Sequence, residues 1–239
     1  MRWVRALWRA HLLGLCIMVV PPLSSVHFCL VGTRAVFLDI RANRYFALPE
    51  KLNTSFVSAI GDCVMGTVTP DELAALKTGM DDLLALKGIV SVQEFQPFPA
   101  ATSDHAPDSN SVPIPALLLL QVAIACFSAK LLVRLCPLHW LLAYIGHNHP
   151  HKLQPPSTQM LDHLAGAFQR VQVLMGKDGN CLPHTLAFVW LSRRLGYTPR
   201  LIIGVRINPF GAHCWCQDGP VVLNDHYENV RTYQPIFVL

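Results

Sequence analysis

A thiol at the head of a helix, an imidazole on a strand and an acid or amide beside it can together perform nucleophilic acyl chemistry. The C-terminal part of this chain holds such a set. In Gly179-Asn180-Cys181-Leu182-Pro183, Asn180 suits an N-cap and Pro183 falls in a first turn, where its missing N–H costs nothing. Leu182, Leu186, Val189, Trp190 and Arg193 continue at helical spacing until Gly196 stops the pattern. Cys181 therefore stands at the positive end of a helix dipole, where a thiolate is favoured. Backbone N–H groups there can also receive a developing oxyanion. A merely packed cysteine at a helix start would look the same, so the downstream residues must decide.

Arg200-Leu201-Ile202-Ile203-Gly204-Val205 reads as a buried strand. Ala212-His213-Cys214-Trp215-Cys216 and Val221-Val222-Leu223-Asn224-Asp225 then read as a hairpin about Asp218-Gly219-Pro220. A three-residue loop pairs Gln217 with Val221 and hence His213 with Asp225, whereas a two-residue loop shifts the register and puts Asn224 opposite. Directly paired Cβ atoms lie about 4.5–5.5 Å apart, close enough for a side chain to bond the imidazole. Either residue would orient His213, and Asp225 would also stabilise the imidazolium. In the chemistry so implied, His213 takes the Cys181 proton, the thiolate attacks a carbonyl, and His213 protonates the leaving group. Cys214 and Cys216 point away from His213 by strand alternation and read as core. Asp178 and Asp218 read as turn residues.

Composition narrows the classes. The chain has 239 residues, 52% of them hydrophobic and 14% charged, which excludes a disordered protein. A net charge of +4 with no dense basic run excludes a nucleic-acid binder. Eight cysteines, at 16, 29, 63, 126, 136, 181, 214 and 216, contain no C-x-x-C pair and no even framework, so a disulfide scaffold and a zinc ribbon are disfavoured. A reducing, cytoplasmic setting fits. Arg2, Arg5 and Arg9 ahead of an apolar run at 12–20 imitate a secretory signal, but the run is too short for a membrane span. Synthesis beginning at Met18 is the preferred reading, with residues 1–25 as an extension.

Residues 26–48 read as three strands, joined through Gly32-Thr33-Arg34 and Arg41-Ala42-Asn43-Arg44. A helix follows from Pro49, with Leu52, Phe56 and Ile60 on one face and Gly61 near its stop. Thr69-Pro70-Asp71-Glu72 opens a second helix with a capping box, and 81–88 gives a third. Three strands and three short helices over 26–95 make a winged-helix-like module. Prolines at 97, 99, 107, 113 and 115 mark a linker over 96–115, and residues 116–239 form the domain that carries Cys181. An apolar helix at 116–136 contains Lys130 and Arg134, costly inside lipid, so it reads as buried or partner-docking rather than transmembrane. Helices at 137–145 and 157–175 follow, and His147-Asn148-His149-Pro150-His151 between them reads as a solvated connector rather than a metal site. The fold class is α+β.

These residues resemble a family. Cys181-Leu182-Pro183-His184-Thr185-Leu186-Ala187, Arg200–Val205, Pro209-Phe210-Gly211-Ala212-His213-Cys214-Trp215 and Leu223-Asn224-Asp225 look like the lasso peptide biosynthesis leader peptidases of the transglutaminase-like cysteine peptidase superfamily. Phe37-Leu38-Asp39-Ile40-Arg41-Ala42-Asn43-Arg44-Tyr45-Phe46-Ala47-Leu48 resembles the precursor-recognition element of the same pathways. The resemblance implies a fused chain: a winged-helix-like recognition module followed by a transglutaminase/papain-like cysteine peptidase domain. It makes Cys181 the nucleophile, His213 the base and Asp225 the orienter. A leader peptide would add as a strand beside Tyr45, Phe46 and Leu48. The implied partners are the precursor (leader) peptide and a separate lasso cyclase of the asparagine-synthetase-like type. Cleavage in the family is associated with ATP, yet the chain has no phosphate-loop motif, so nucleotide dependence would enter through the cyclase. No metal or other cofactor is implied. An acyltransferase using the same trio and a non-catalytic leader-binding escort are the rival readings. Small or aliphatic residues usually stand in the family where this chain has Cys214 and Cys216.

Overall fold

The computed structural model describes residues 17–18, 26–65, 98–106, 113–147, 157–176 and 179–239. Contacts divide the chain into two compact units, one comprising 1–99 with 205–211 and 234–237, the other 100–204 with 212–233 and 238–239. The architecture is mixed α+β.

The first unit contains an antiparallel sheet of β1 (Ile17–Met18), β2 (Val26–Val31), β3 (Arg34–Asp39) and β4 (Arg44–Ala47), in that order. Strands β2, β3 and β4 are the three expected over 26–48. Ile17–Met18 adds a short edge strand against Cys29 and Phe28. A tight β2–β3 turn pairs Val31 with Arg34, and Gly32 there has φ +61°, a left-handed conformation glycine adopts without strain. Alternate side chains Val26, Phe28, Ala35 and Phe37 meet Leu48 and Phe56 in one apolar cluster. Phe56 comes from α1 (Glu50–Met65), which runs past Gly61 rather than stopping there. Leu52, expected on the inward face, is exposed. Asn53 on α1 fastens the helix to the sheet, accepting from the Ala35 N–H and donating to the Thr33 carbonyl, both at 2.8 Å. The second and third helices of the expected winged-helix module lie outside the described residues.

The remaining elements are β5 (Ser103–Asp104), α2 (Ala116–Leu135), α3 (Leu138–His147), α4 (Thr158–Met175), α5 (Cys181–Arg194), β6 (Arg200–Arg206), β7 (Gly211–Asp218), β8 (Val221–Val222), α6 (Tyr227–Val230) and β9 (Gln234–Val238). The second sheet has the order β5-β8-β7-β6-β9. Helix α5 is buried along most of its length, unlike an ordinary surface helix, and it packs against α2 and α4. Its end is well defined: Gly196 at φ +85° lets the Gly196 and Tyr197 N–H groups bond the carbonyls of Arg193 and Ser192. Helix α2, expected to be buried or partner-docking, leaves Leu117, Leu120, Ile124 and Phe127 exposed. It is long and apolar enough to cross a membrane, and only 22% of its apolar window is buried.

One glycine of the second unit bears directly on the site. A Cβ placed on Gly204 in β6 would lie 2.7 Å from the ring of Trp215, a fully buried side chain on β7. The strand therefore needs a residue without a side chain where the indole lies across it. Gly204→Ala should destabilise the protein by about 1–3 kcal/mol through overpacking, and it should alter the fluorescence of the displaced indole. Denaturant melts of the two proteins, followed by fluorescence, check this.

Candidate active site

Cys181 is the first residue of α5, as expected, but the helix start is held differently. Asn180 does not cap with its side chain. Its amide donates instead to the Gly176 carbonyl at 3.1 Å, while its own carbonyl receives the His184 N–H at 3.0 Å. The backbone around the thiol is thus fixed from both sides, and the Leu182 N–H of the first turn is directed at the sulfur.

His213 lies near the start of β7, and its Nε2 meets Asp225 Oδ2 at 2.5 Å. This contact arises in a different way from either loop expected. The turn is Gly219-Pro220, with Asp218 paired to Val221 and Gln217 to Val222. Each step back along β7 matches one step forward beyond β8, so this register would set His213 opposite His226. The two-residue loop does not bring Asn224 to the histidine. The ladder ends at Val222, the chain bends through 223–225, and Asp225 swings onto His213 from that bend. Both carboxylate oxygens are engaged: Oδ1 accepts from the His226 N–H at 2.7 Å and from Asn229 Nδ2 at 2.8 Å, leaving Oδ2 to the imidazole. Asn229 was not singled out from sequence, although it lies four residues after Asp225.

The Cys181 side chain hydrogen-bonds His213. The electrostatics follow from this chain of contacts. Burial raises the Cys181 thiol, but the hydrogen bond and charge of His213, with the N–H groups of Cys214 and Leu182, outweigh it and hold the thiol below its ordinary value. Burial alone would lower His213, but Asp225 and Cys181 reverse that and carry it up to about 9. Burial likewise raises Asp225, and the bonds from His213, Asn229 and His226 bring it below the usual carboxylate range. Cys181 and His213 are thus each shifted toward their charged forms, with Asp225 behind the imidazole.

Aromatic rings brace the imidazole. Trp215 lies near-parallel to it at 6.2 Å and Tyr233 lies at 5.2 Å. Trp215 is itself fixed by an Nε1–H bond to Gln217 Oε1 at 3.0 Å. Cys214 and Cys216 are buried, and burial raises both thiols well above their ordinary value, so they stay protonated and unreactive. Asp218 accepts from Tyr197 at 2.8 Å, a structural bond. Asp178, His149 and His151 lie outside the described residues, among which no group of three or more metal-ligating side chains occurs.

The residues expected beside a leader peptide divide differently. Leu48 is buried in its unit's core, which takes it out of any groove. Phe46 stacks on Phe37 with ring centres 5.0 Å apart, on the core side of β4. Tyr45 points to the opposite face and meets Phe210 of the same unit edge-on at 5.6 Å. Strand β4 is an edge of its sheet among the described residues.

Residues 123–238 match the family model of the transglutaminase-like superfamily. The match runs from within α2 to the last strand and includes Cys181, His213 and Asp225, so this part of the chain is similar to the transglutaminase-like superfamily. No curated protein and no solved structure matches the chain.

The raised His213 value has a consequence for stability. A histidine held above its unfolded value contributes stability that is fully present below about 6.5 and is lost as pH rises through about 9. Cys181, held below its ordinary value, contributes the opposite slope over the same interval, so the fall should emerge once the thiol is removed. The unfolding free energy of Cys181→Ala should fall as pH rises above about 6.5, and that of Cys181→Ala/His213→Gln should not. Urea melts of both proteins at a series of pH values check the slope.

Proposed function

We propose that the chain is a cysteine endopeptidase that removes the leader peptide from a ribosomally made lasso peptide precursor, before a separate cyclase closes the macrolactam. The observation that carries this reading is the relay from Asp225 Oδ2 through His213 to the Cys181 thiol at the head of α5. A charge-poor chain with an edge strand in a separate unit suits a protein that binds an extended peptide.

In the cleavage step, Cys181 Sγ attacks the carbonyl carbon of the scissile peptide. The oxyanion forms beside the N–H groups at the start of α5, which are pre-oriented and need no rearrangement. His213 gives its proton to the departing amine, which leaves as the new amino terminus of the core peptide. The leader remains as a thioester on Cys181. His213, now neutral, takes a proton from water; the hydroxide attacks the thioester, and the thiolate leaves with the leader carboxylate released. Asp225 keeps the imidazole in the tautomer this requires and stabilises the imidazolium.

The leader pairs with the outer edge of β4, with backbone bonds giving affinity. Tyr45 is the retained side-chain contributor; Phe46 and Leu48 support the strand from the core. The exposed apolar helices α2 and α3 form the docking face for an asparagine-synthetase-like cyclase, through which any ATP requirement enters. The setting is the reducing cytoplasm. The second reading, a transglutaminase-like acyltransferase, has the superfamily match in its favour. An amine, not water, would then resolve the thioester.

Full-length protein incubated with a leader-bearing precursor, analysed by mass spectrometry, separates the readings: free leader acid plus core supports hydrolysis, and a new amide supports transfer. Cys181→Ala and His213→Ala should each lower cleavage by about 10³-fold or more, and Asp225→Asn by about 10²-fold or more. Leader affinity should be unchanged in all three.

A further inference from the structure

A buried polar chain runs beside the catalytic trio and is not used by it. Thr185 lies one helical turn beyond Cys181 on α5 and is completely buried. Its Oγ1–H donates to the Cys214 carbonyl at 3.0 Å. Asn224, the residue before Asp225, donates from Nδ2 to the same Thr185 Oγ1 at 2.9 Å and accepts at Oδ1 from the Cys216 N–H at 2.7 Å. The direction of every bond is fixed. The hydroxyl has one proton and gives it to Cys214, so residue 224 must offer it a donor. The Cys216 N–H needs an acceptor, so residue 224 must offer that too. An amide supplies both.

The chain ends on groups that flank the reacting atoms. The Cys214 peptide presents its N–H to the Cys181 sulfur while Thr185 holds its carbonyl. Asp225 directly follows the anchored Asn224, in a bend whose backbone is tied to β7 by the Leu223 N–H on the Cys216 carbonyl at 2.9 Å, ahead of Asn224. Without that anchor nothing in the β7–β8 pairing would place the carboxylate against His213, since the register points elsewhere.

We propose that Thr185 and Asn224 are positioning residues of the active site, a hydroxyl–amide relay that locks α5, β7 and the 223–225 bend together so that the thiol, the Cys214 N–H and the Asp225–His213 pair converge. The proposal rests on Cys181 being the nucleophile of the reading above. The relay touches no substrate atom. It acts through the placement of Asp225 and of the Cys214 peptide, where misplacement by about 1 Å is enough to cost a large factor in rate.

Alkylation of Cys181 by iodoacetamide tests this without a substrate. The rate at Cys181 is read by peptide mass spectrometry across the pH range, on the full chain, for wild type, Thr185→Val, Thr185→Ser, Asn224→Asp and Asn224→Leu, with thermal melts to verify folding. Wild type should show a reactive thiolate at pH values below those of an ordinary thiol. Thr185→Val, Asn224→Asp and Asn224→Leu should move that profile to higher pH and slow alkylation at neutral pH by about tenfold or more. Thr185→Ser keeps the hydroxyl and should keep the wild-type profile. Val, Asp and Leu variants that fold and superimpose on wild type would overturn the relay. If Thr185→Val fails to fold, Asn224→Leu, which keeps the size, adds no charge and removes both amide bonds, decides beside Asn224→Asp, whose carboxylate also adds a charge. A wild-type profile of an ordinary thiol would overturn the nucleophile reading, and the relay with it; a low wild-type profile with unmoved variants overturns the relay only.

Discussion

A carboxylate bonded to an imidazole that also acts on a thiol is the interaction on which the elements around the site converge. Removing a thiol, an imidazole and a carboxylate from bulk water opposes ionisation of each. Here each charge is offset by the next: Asp225 by His213, and His213 by Cys181. The free ends of the chain are closed by backbone and amide donors, Leu182 and Cys214 at the sulfur and His226 and Asn229 at the carboxylate. Such an arrangement works only if all members arrive together, because one partner missing leaves a half-buried charge uncompensated.

The fold supplies that simultaneity with rigid parts. A helix buried on nearly all sides fixes the thiol, and a strand carrying Trp215 fixes the imidazole. Gly204 is the cost of the second: only a bare backbone lets the indole lie close enough to back His213. The carboxylate alone comes from irregular backbone, and there side-chain hydrogen bonds replace strand pairing. Short polar residues, Thr185, Asn224 and Asn229, therefore cluster around the one member of the trio that secondary structure does not position.

Much of this was legible in the sequence because it rests on local rules. Gly196 after an apolar helical pattern marked the end of α5, and the β-branched and aromatic runs marked β2, β3, β6 and β7. That Cys181, His213 and Asp225 come together could be read from residue type and order. What failed was whatever depended on one-residue distinctions. The hairpin turned with two loop residues, yet Asp225 still reached His213, because a bend after Val222 replaced continued pairing. Asn180 sits at the cap position but bonds backward to Gly176. Leu48 reads as a strand-end side chain available to a ligand and is instead core, since the alternation of β4 carries it inward after Phe46. Thr185 was within reach, four residues after the thiol on the same helix face, but no periodicity distinguishes a buried hydroxyl with partners from a helix residue of modest propensity.

The most direct measurement is to identify the atom that attacks the peptide carbonyl. A precursor analogue whose leader ends in an aldehyde at the scissile position, bound to the full chain and mapped by crystallography or by the carbon NMR shift of a labelled aldehyde carbon, reports where the electrophile lands. The account predicts a hemithioacetal on Cys181 Sγ, with the new hydroxyl directed at the N–H groups that open α5. Adduct formation at another residue, or cleavage of the natural precursor by a protein in which Cys181 has no free thiol, would contradict it.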